Sequence, residues 1–310
     1  MRLITPITLT NSQSASTPVP FQQMIQVPAA SILFRNGVRF WSPTDGQLYA
    51  WLESISGGTA TIWVRIPSSI SANGTYQLYM IQDSIMPMDG VYWGEAPQLS
   101  PTYAQYDNGA NVFNNYWNFA GTSLPSGWSV VGRFTNYSIN NGLIITGALS
   151  GNAGLKSNIQ LSPPYILETY ANYPPESLPT YFNIFGVGTN GDQQVIQVAT
   201  NYIIQAYNGG GNAVEIAPSG TGIWSIIGES TTVALGSFNY GTPVSSTASN
   251  PVSFPANIYS PSQAGGTFNL TNPITEYYIR TRAYPPNGVM PSASLGAPQY
   301  SGELITVTVP

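Results

Sequence analysis

Residues 37–66 read GVRFWSPTDGQLYAWLESISGGTATIWVRI, and this stretch decides the fold class. Apolar and polar residues alternate at 37–41, 47–53 and 60–66, as expected for strands that bury one face. The first two runs are separated by SPTDG at 42–46, and these residue types favour a hairpin turn. The stretch therefore predicts antiparallel β-structure.

The rest of the chain continues this pattern. No long segment has the helical period, and 26 prolines and 31 glycines interrupt the 310 residues. Short alternating runs recur about every 8 to 12 residues, a spacing typical of sandwiches and jelly rolls. We predict an all-β fold with an N-terminal β-sandwich domain at 1–90, a linker or covering loop at 91–110 and a jelly-roll sandwich at 111–310. Residues 241–263 are predicted to form an extended surface segment, either a plain excursion at a sheet edge or a binding loop, and 304–309 a last strand.

The composition indicates an ordered protein with very few charges. Hydrophobic residues make up 42% of the chain and aromatic residues 12%, which argues against disorder. Charged residues make up only 7%, against a usual value of about 25%. A fold with few ion pairs loses little stability when carboxylates are protonated. We therefore expect an acidic exterior environment and a melting temperature that does not fall steeply between about pH 7 and pH 3. The alternative is a secreted β-protein of a neutral environment with the same polar surface.

Several functional classes are disfavoured by absent residue types. The chain contains no histidine and no cysteine, which excludes Ser-His-Asp and Cys-His catalysis, thiolate metal sites and disulfides. A net charge of −5 argues against nucleic-acid binding. We expect no membrane-spanning segment, because no run of about 20 apolar residues exists. The N-terminus lacks an apolar signal core, which favours a route to the exterior inside a virus particle over secretion.

The segment at 37–67, followed by ANGTYQLYMI at 72–81, resembles an uncharacterised β-domain family of archaeal surface proteins. The resemblance covers roughly residues 1–90. Its matching positions are Phe40, Asp45, Gly46, Leu48, Trp51, Glu53, Ala60, Trp63, Val64 and Pro67.

The second part of the chain carries a different resemblance. Residues 114–128 (NNYWNFAGTSLPSGW) and 277–296 (YYIRTRAYPPNGVMPSASLG) resemble segments that frame concanavalin-like lectin sandwiches in Sulfolobus-type archaea, and tail or spike proteins of their spindle-shaped viruses. The two segments should pair as terminal strands of the jelly roll. The resemblance implies an exterior location, glycan-rich surroundings and an attachment role, and it implies no catalytic residues.

Glycan binding needs aromatic faces beside hydrogen-bonding groups. Arg280 and Arg282 alternate along one predicted strand and should share a face, where they bind an acidic glycan or a partner carboxylate, or pair with Glu276. The other glycan-binding candidates are Tyr170, Tyr173, Tyr181, Tyr202, Tyr207 and Trp224.

Hydrolysis of glycosides requires two carboxylates about 5 to 10 Å apart. The E-x-D-x-x-E spacing of glucanases with the concanavalin-like fold is absent, so Glu168 and Glu276, both in predicted strands, are the remaining pair. No cofactor is expected, although Ca²⁺ has candidate ligands in Asp107 with Asn108 and Asn111, or in Asp192 with Asn190.

Three sequons, at Asn73, Asn136 and Asn269, are candidate N-glycosylation sites.

The sequence leaves three functional hypotheses. The first is a non-enzymatic spike or tail component on the virion surface of an archaeal virus, which binds host glycans and assembles as a homo-oligomer or with other virion proteins. The second is an extracellular adhesin or filament subunit of an archaeon, assembled by strand exchange. The third is a glycan hydrolase.

Overall fold

A computed structural model divides the protein into two compact units. The first unit comprises residues from 1–114 and 282–310, and the second comprises residues 115–281. The structure describes residues 2–150, 153–178, 181–189, 191–261 and 267–301.

Short strands make up nearly all of the regular structure. The strands before residue 100 are β1 Arg2–Thr10, β2 Phe21–Pro28, β3 Val38–Ser42, β4 Gly46–Leu48, β5 Ala50–Ser56, β6 Thr59–Ile66, β7 Thr75–Asp83 and β8 Trp93–Glu95. Those of the second unit are β9 Asn115–Trp117, β10 Trp128–Val131, β11 Tyr137–Ile139, β12 Leu143–Ile145, β13 Ala148–Ser150, β14 Gly154–Leu161, β15 Tyr165–Tyr173, β16 Phe182–Thr189, β17 Asp192–Val198, β18 Tyr202–Asn208, β19 Ala213–Ala217, β20 Gly220–Gly228, β21 Val233–Phe238, β22 Val244–Thr247, β23 Ala256–Tyr259, β24 Thr267–Asn269 and β25 Ile274–Arg282. Two further strands follow, β26 Ser292–Leu295 and β27 Gln299–Ser301.

Helices are confined to single turns in the described residues, which confirms the predicted all-β class. Among those residues, no helix has the length and apolarity needed to cross a membrane. The α-helix is α1 Gly109–Val112, and 3₁₀ turns occur at Ala29–Ser31, Arg35–Gly37, Pro97–Leu99 and Pro286–Gly288.

The first unit is a sandwich of two sheets. The larger sheet has the order β26, β1, β7, β3, β4, with β27 also paired to β1, and the smaller has the order β2, β6, β5, β8. Every second residue of β1, from Leu3 to Leu9, is buried, so its alternating sequence places one face on the core. The core between the sheets includes Phe40 and Leu78 from the larger sheet and Ile62 and Trp93 from the smaller.

Two motif carboxylates stabilise this sandwich. Glu53 accepts a hydrogen bond from Trp63 Nε1 at 3.1 Å. Asp45 accepts hydrogen bonds from Ser68 Oγ at 2.5 Å and from the Tyr76 hydroxyl at 2.7 Å. Because these donors lie in or beside the core, the carboxylates satisfy groups that would otherwise be costly to remove from water. Asp45 and Glu53 both belong to the positions that match the archaeal surface β-domain family, and these contacts give them a structural role.

The second unit is a larger sandwich of two antiparallel sheets, which confirms the predicted jelly-roll sandwich. Seven strands have the order β10, β14, β23, β16, β17, β18, β19. Eight strands form the other sheet, in the order β11, β12, β25, β15, β20, β21, β22, with β9 paired to β25. β13 and β24 form a separate two-stranded sheet. The core contains Tyr173 and Trp224 from the eight-stranded sheet and Phe185, Ile196 and Tyr202 from the seven-stranded sheet.

The unit boundaries differ from the predicted domains. Residues 282–301, expected in the second domain, belong to the first unit, where Leu295 pairs with Ile7 and Tyr300 with Leu3. Residues 91–110 are not a plain linker, since β8 lies parallel to β5 and its Trp93 is in the core. Pairing between residues almost 300 positions apart leaves no local signal in the sequence, and the predicted boundaries are wrong for this reason.

Other expected elements have mixed outcomes. The segments around 114–128 and 277–296 do pair, through β9 and β25. The described part of 241–263 contains β22 and β23 and is therefore not one long loop. The predicted strand at 304–309 lies outside the described residues.

The unit boundaries predict how fragments behave. A fragment of residues 115–281 should melt cooperatively, because both large sheets and the core between them lie within it. A fragment of residues 1–90 should not, because it lacks β8 and leaves the edge of β1 unpaired. Circular dichroism melting of both fragments tests this expectation, and a cooperative transition in the 1–90 fragment would contradict it.

Candidate functional site

Three of the predicted glycan-binding aromatics are core residues. Tyr173, Tyr202 and Trp224 are fully buried. Their rings pack on one another, with centroids 5.1 Å apart for the two tyrosines and 5.0 Å apart for Tyr173 and Trp224. A ring without an exposed face cannot stack on a sugar that arrives from solvent. These three residues stabilise the sandwich instead, which corrects their predicted role.

Two further candidates lie apart from the others in the fold. Tyr181 is 48% exposed and directly precedes β16. Tyr207 is half-buried on β18, on the side of the strand opposite the core residues Tyr202 and Ile204. Both tyrosines therefore belong to the seven-stranded sheet or its flank. Of the three remaining candidates, Tyr170 and Arg280 are on the eight-stranded sheet and Arg282 is the last residue of β25.

The structure brings Tyr170 and Arg280 together on one surface. We call this surface the tyrosine face; it lies on the side of the eight-stranded sheet opposite the sandwich core and consists of Tyr116, Tyr170, Tyr277, Tyr278, Arg280 and Glu168. The Tyr170 ring stacks on Tyr278 at 5.7 Å and contacts Tyr277 at 5.5 Å. Tyr116 on β9 lies 5.8 Å from Tyr278. Tyr170, Tyr277 and Tyr116 are half-buried, so each retains some exposed ring surface.

A buried ion pair supports the tyrosine face. Arg280 Nε lies 2.8 Å from Glu168 Oε2, and both side chains are fully buried. Ser225 Oγ donates to Glu168 Oε1 at 3.3 Å, and an Arg280 Nη donates to the Tyr240 hydroxyl at 2.6 Å. The guanidinium also lies 5.6 Å from the centre of the Tyr278 ring, within cation–π range. These contacts hold Tyr278, and through it Tyr170, in a defined position.

Glu276 lies on the other side of the same sheet. It accepts hydrogen bonds from the Tyr173 hydroxyl at 2.7 Å and from Ser260 Oγ at 2.5 Å, and it is fully buried. Burial raises the pKa of Glu276 to about 7, and the two hydrogen bonds only partly oppose that effect. The pKa of Tyr173, whose hydroxyl donates to Glu276, is raised well above its ordinary value, and burial is again the largest cause. Glu276 is therefore a neutral acid in the sandwich core over most of the acidic range.

Strand β25 changes its alternation between these two sites. Tyr277 and Tyr278 both contact Tyr170 and therefore lie on the same side of the sheet, although successive strand residues normally point to opposite sides. The shift places Glu276 towards the core and Arg280 on the tyrosine face. The predicted alternative of an Arg280–Glu276 pair is corrected for this reason.

The two candidate hydrolase carboxylates are thus separated by the sheet. Glu168 neighbours the core residue Leu167 in β15 and points away from the core, whereas Glu276 contacts Tyr173 inside it. Glycosidases need both carboxyl groups around one scissile bond. Glu168 and Glu276 cannot meet that requirement, so the predicted pair does not form a hydrolytic site.

Arg282 does not extend the tyrosine face. Its guanidinium lies 5.0 Å from the centre of the Trp63 ring, and both residues belong to the first unit. The two arginines of β25 therefore serve different structural purposes and do not form the predicted basic surface.

The sequons and the calcium ligands have the following positions. Asn73 and Asn269 are exposed, and Asn136 is half-buried. Asp107 accepts hydrogen bonds from Trp51 Nε1 at 2.8 Å and from the Gly109 amide, so it supports the first unit. Within the described ranges, no three His, Cys, Asp or Glu side chains are grouped to hold a metal ion. Asn190 lies outside those ranges.

Sequence reasoning missed Tyr116, Tyr277 and Tyr278 of the tyrosine face. Tyr116 and Tyr240 come from distant parts of the chain, and only folding brings them to β25. A local signal did exist in the pair Tyr277–Tyr278, because two adjacent large aromatics conflict with the alternation expected of a strand that buries one face.

Comparisons with known proteins find matches to parts of the chain. Residues 35–90 match a domain of unknown function, DUF2341. A protein of Sulfolobus islandicus rod-shaped virus 1, "Uncharacterized protein 562", is 40% identical over 121 residues, which is 36% of this chain and 21% of the relative. The match thus spans about a fifth of that relative's length. It supports the expected resemblance to viral proteins, with a rod-shaped virus in place of the spindle-shaped viruses that we expected.

Solved structures to which part of this chain is similar include two glucanases. A β-1,3-glucanase from Mycobacterium marinum has a TM-score of 0.38 and 14% identity, over 55% of this chain and 98% of the enzyme. A β-glucanase from Bacillus licheniformis has a TM-score of 0.37 and 12% identity, over 54% of this chain and 97% of the enzyme.

We expect the two buried glutamates to respond differently when each is replaced by glutamine. Glu168→Gln should lower the free energy of unfolding at pH 7 by about 3 kcal/mol or more, because it leaves Arg280 buried without its counter-charge. Glu276→Gln should not destabilise the protein at pH 7, because the buried carboxyl is about half protonated at that pH and a neutral amide removes the cost of burying its charged form. Urea unfolding of both variants measures the difference, and equal losses in the two variants would contradict this assignment.

The raised pKa of Glu276 also predicts how stability varies with pH. The folded protein holds this proton up to about pH 7, whereas the unfolded chain releases it near its ordinary value of 4.5. The contribution of Glu276 to the free energy of unfolding is therefore fully present below pH 4.5. It decreases as the pH rises through about 7, by about 2 to 4 kcal/mol in total. Glu276→Gln should remove this fall, while Glu229→Gln, at an exposed turn residue, should retain it. Unfolding curves from pH 4 to pH 8 provide the measurement.

Proposed function

We propose that the protein is a non-enzymatic attachment protein on the exterior of an archaeal virus particle, and that it binds cell-surface glycans through the tyrosine face. The observation that carries this proposal is the arrangement on β25 and β15. The half-buried side chains of Tyr170 and Tyr277 lie side by side above a buried Arg280–Glu168 pair that holds their support in place.

The arrangement favours binding over catalysis. A sugar presents a C–H face that stacks on an aromatic ring, and it presents hydroxyls that need fixed hydrogen-bonding groups. The tyrosine face offers adjacent rings and phenolic hydroxyls. Glu168 is already ion-paired with Arg280 and buried, and Glu276 faces the opposite way. The surface therefore has the components of a ligand platform without a pair of working carboxyl groups.

The viral setting is supported by the similarity to the rod-shaped virus protein. It also agrees with the composition, because a surface formed mainly by neutral polar groups keeps its hydrogen-bonding character when the pH falls. The raised pKa of Glu276 should also make the folded protein more stable at low pH than at neutral pH. An exterior location in an acidic medium accounts for both properties.

Glycan binding through the tyrosine face is tested by single substitutions. Tyr170→Ala and Tyr277→Ala should each weaken binding to immobilised host-envelope oligosaccharides by about tenfold, since stacking on one ring contributes roughly 1 kcal/mol or more. Tyr181→Ala, at an exposed tyrosine elsewhere in the unit, is the matched control and should bind as the unaltered protein does. Surface plasmon resonance gives the affinities. Unchanged binding in both tyrosine-face variants would refute the proposed site.

Attachment and hydrolysis are distinguished by product analysis. The protein should release no reducing sugar from soluble β-1,3-glucan or from host-envelope glycans during prolonged incubation. Sugar release that Glu168→Gln abolishes, while the variant remains folded, would overturn the non-enzymatic assignment. Immunogold labelling of purified virions tests the location, and labelling confined to cell envelopes would favour the adhesin alternative.

A further inference from the structure

A second aromatic site lies in the first unit, on the side of its larger sheet that faces away from the core. It is a groove with a volume of about 330 Å³, which we call the first-unit groove. The residues that matter here are Ile4, Arg39, Trp41, Gln47, Tyr79 and Ile81. None of them belongs to the tyrosine face, which is in the second unit.

Strand register builds the floor of the groove. Trp41 on β3 is directly opposite Tyr79 on β7, and Tyr79 is in turn opposite Pro6 on β1. The neighbours of these residues along each strand, Phe40 and Leu78, are buried in the core. Because strand residues alternate between faces, the indole and phenol rings must lie on the outer surface.

The two rings form one continuous platform. Their centroids are 6.1 Å apart and their planes are inclined by 37°. Both residues are half-buried, so part of each ring remains accessible. Ile4 and Ile81 are paired in register beside them and extend the apolar floor. A groove with this floor takes a ligand that has an apolar face at least as wide as one ring.

The rim of the groove is polar but electrically balanced. Arg39 forms an ion pair with Asp89 at 2.9 Å and donates to the Pro87 carbonyl oxygen at 3.0 Å. Arg2 pairs with Asp83 at 3.2 Å. Gln47 is exposed at the other edge, directly opposite Trp41 on the neighbouring strand. The rim therefore offers hydrogen-bonding groups without an excess of either charge.

From this geometry we infer that the first-unit groove is a binding site for a neutral saccharide. A hexose ring has an apolar C–H face that fits the Trp41–Tyr79 platform. Its hydroxyls can form hydrogen bonds with the amide of Gln47 and with the paired guanidinium groups of the rim. The paired rim charges disfavour an anionic ligand, because each arginine already has a carboxylate partner.

This site does not rest on the proposed function of the tyrosine face. If both sites bind glycans, the chain is bivalent, and attachment gains strength from avidity without new contacts. If only the groove binds, the protein is still a saccharide-binding protein, with its site in the first unit.

The test uses the full chain with maltohexaose and mannohexaose as neutral probes. Either probe should give a saturable isotherm in isothermal titration calorimetry, a readout that does not depend on Trp41. Trp41→Ala should weaken binding about tenfold or more, because it removes the larger ring of the platform. Trp41→Phe, which keeps a ring, should bind within about threefold of the unaltered protein, and Gln47→Ala should weaken binding while leaving the fold intact. Tyr170→Ala should leave the affinity of the groove unchanged.

The possible outcomes separate the two sites. Loss in Trp41→Ala and Gln47→Ala with retention in Tyr170→Ala supports the groove, whatever the tyrosine face does. The inference is overturned if neither hexaose binds, or if Trp41→Ala binds as well as the unaltered protein. It is also overturned if only Tyr170→Ala loses binding, since that result assigns all saccharide binding to the second unit. Circular dichroism confirms that each variant is folded before its affinity is compared.

Discussion

The chemistry of the second unit depends on a shift in the alternation of β25. A regular strand would place Glu276, Tyr278 and Arg280 on one side of the sheet. The shift at Tyr277 and Tyr278 divides them, so a neutral acid enters the core and a cation joins the outer face. The two faces of one sheet therefore carry different polar networks, and neither network contains two carboxyl groups. This constraint keeps the carboxyl groups of Glu168 and Glu276 on opposite sides of the sheet.

Sparse charge is the second organising feature. Arg2, Arg35, Arg39 and Arg280 each pair with an aspartate or a glutamate. Elsewhere neutral groups satisfy one another. The Asn183 amide donates to Gln193 at 2.7 Å and accepts from Gln197 at 2.6 Å, all three being buried on the seven-stranded sheet. Amide pairs of this kind do not titrate, so they contribute equally in acidic and in neutral solution.

Aromatic residues serve two purposes that composition alone does not separate. Trp51, Trp63, Trp93 and Trp224 fill cores, and their size compensates for the absence of disulfides. Tyr170 and Tyr277 in one unit, and Trp41 and Tyr79 in the other, lie on outer sheet faces with part of each ring accessible. Both sets of outer rings are cross-strand or same-face neighbours, an arrangement that only paired strands produce. The surface rings are therefore organised by the same backbone pairing that holds the cores together.

The sequence by itself determined the β class, the two-sandwich organisation, the absence of histidine and cysteine chemistry and the presence of strands at 37–66. These properties follow from composition and from local alternation, which act over a few residues. Tertiary structure alone decided that residues 282–301 complete the first unit, that Tyr173, Tyr202 and Trp224 are buried, and that Glu168 and Glu276 face opposite ways. The physical reason is that strand pairing joins residues far apart in the chain. A one-residue shift in alternation also reverses the side that a side chain faces, and neither effect leaves a mark that a local pattern can reveal.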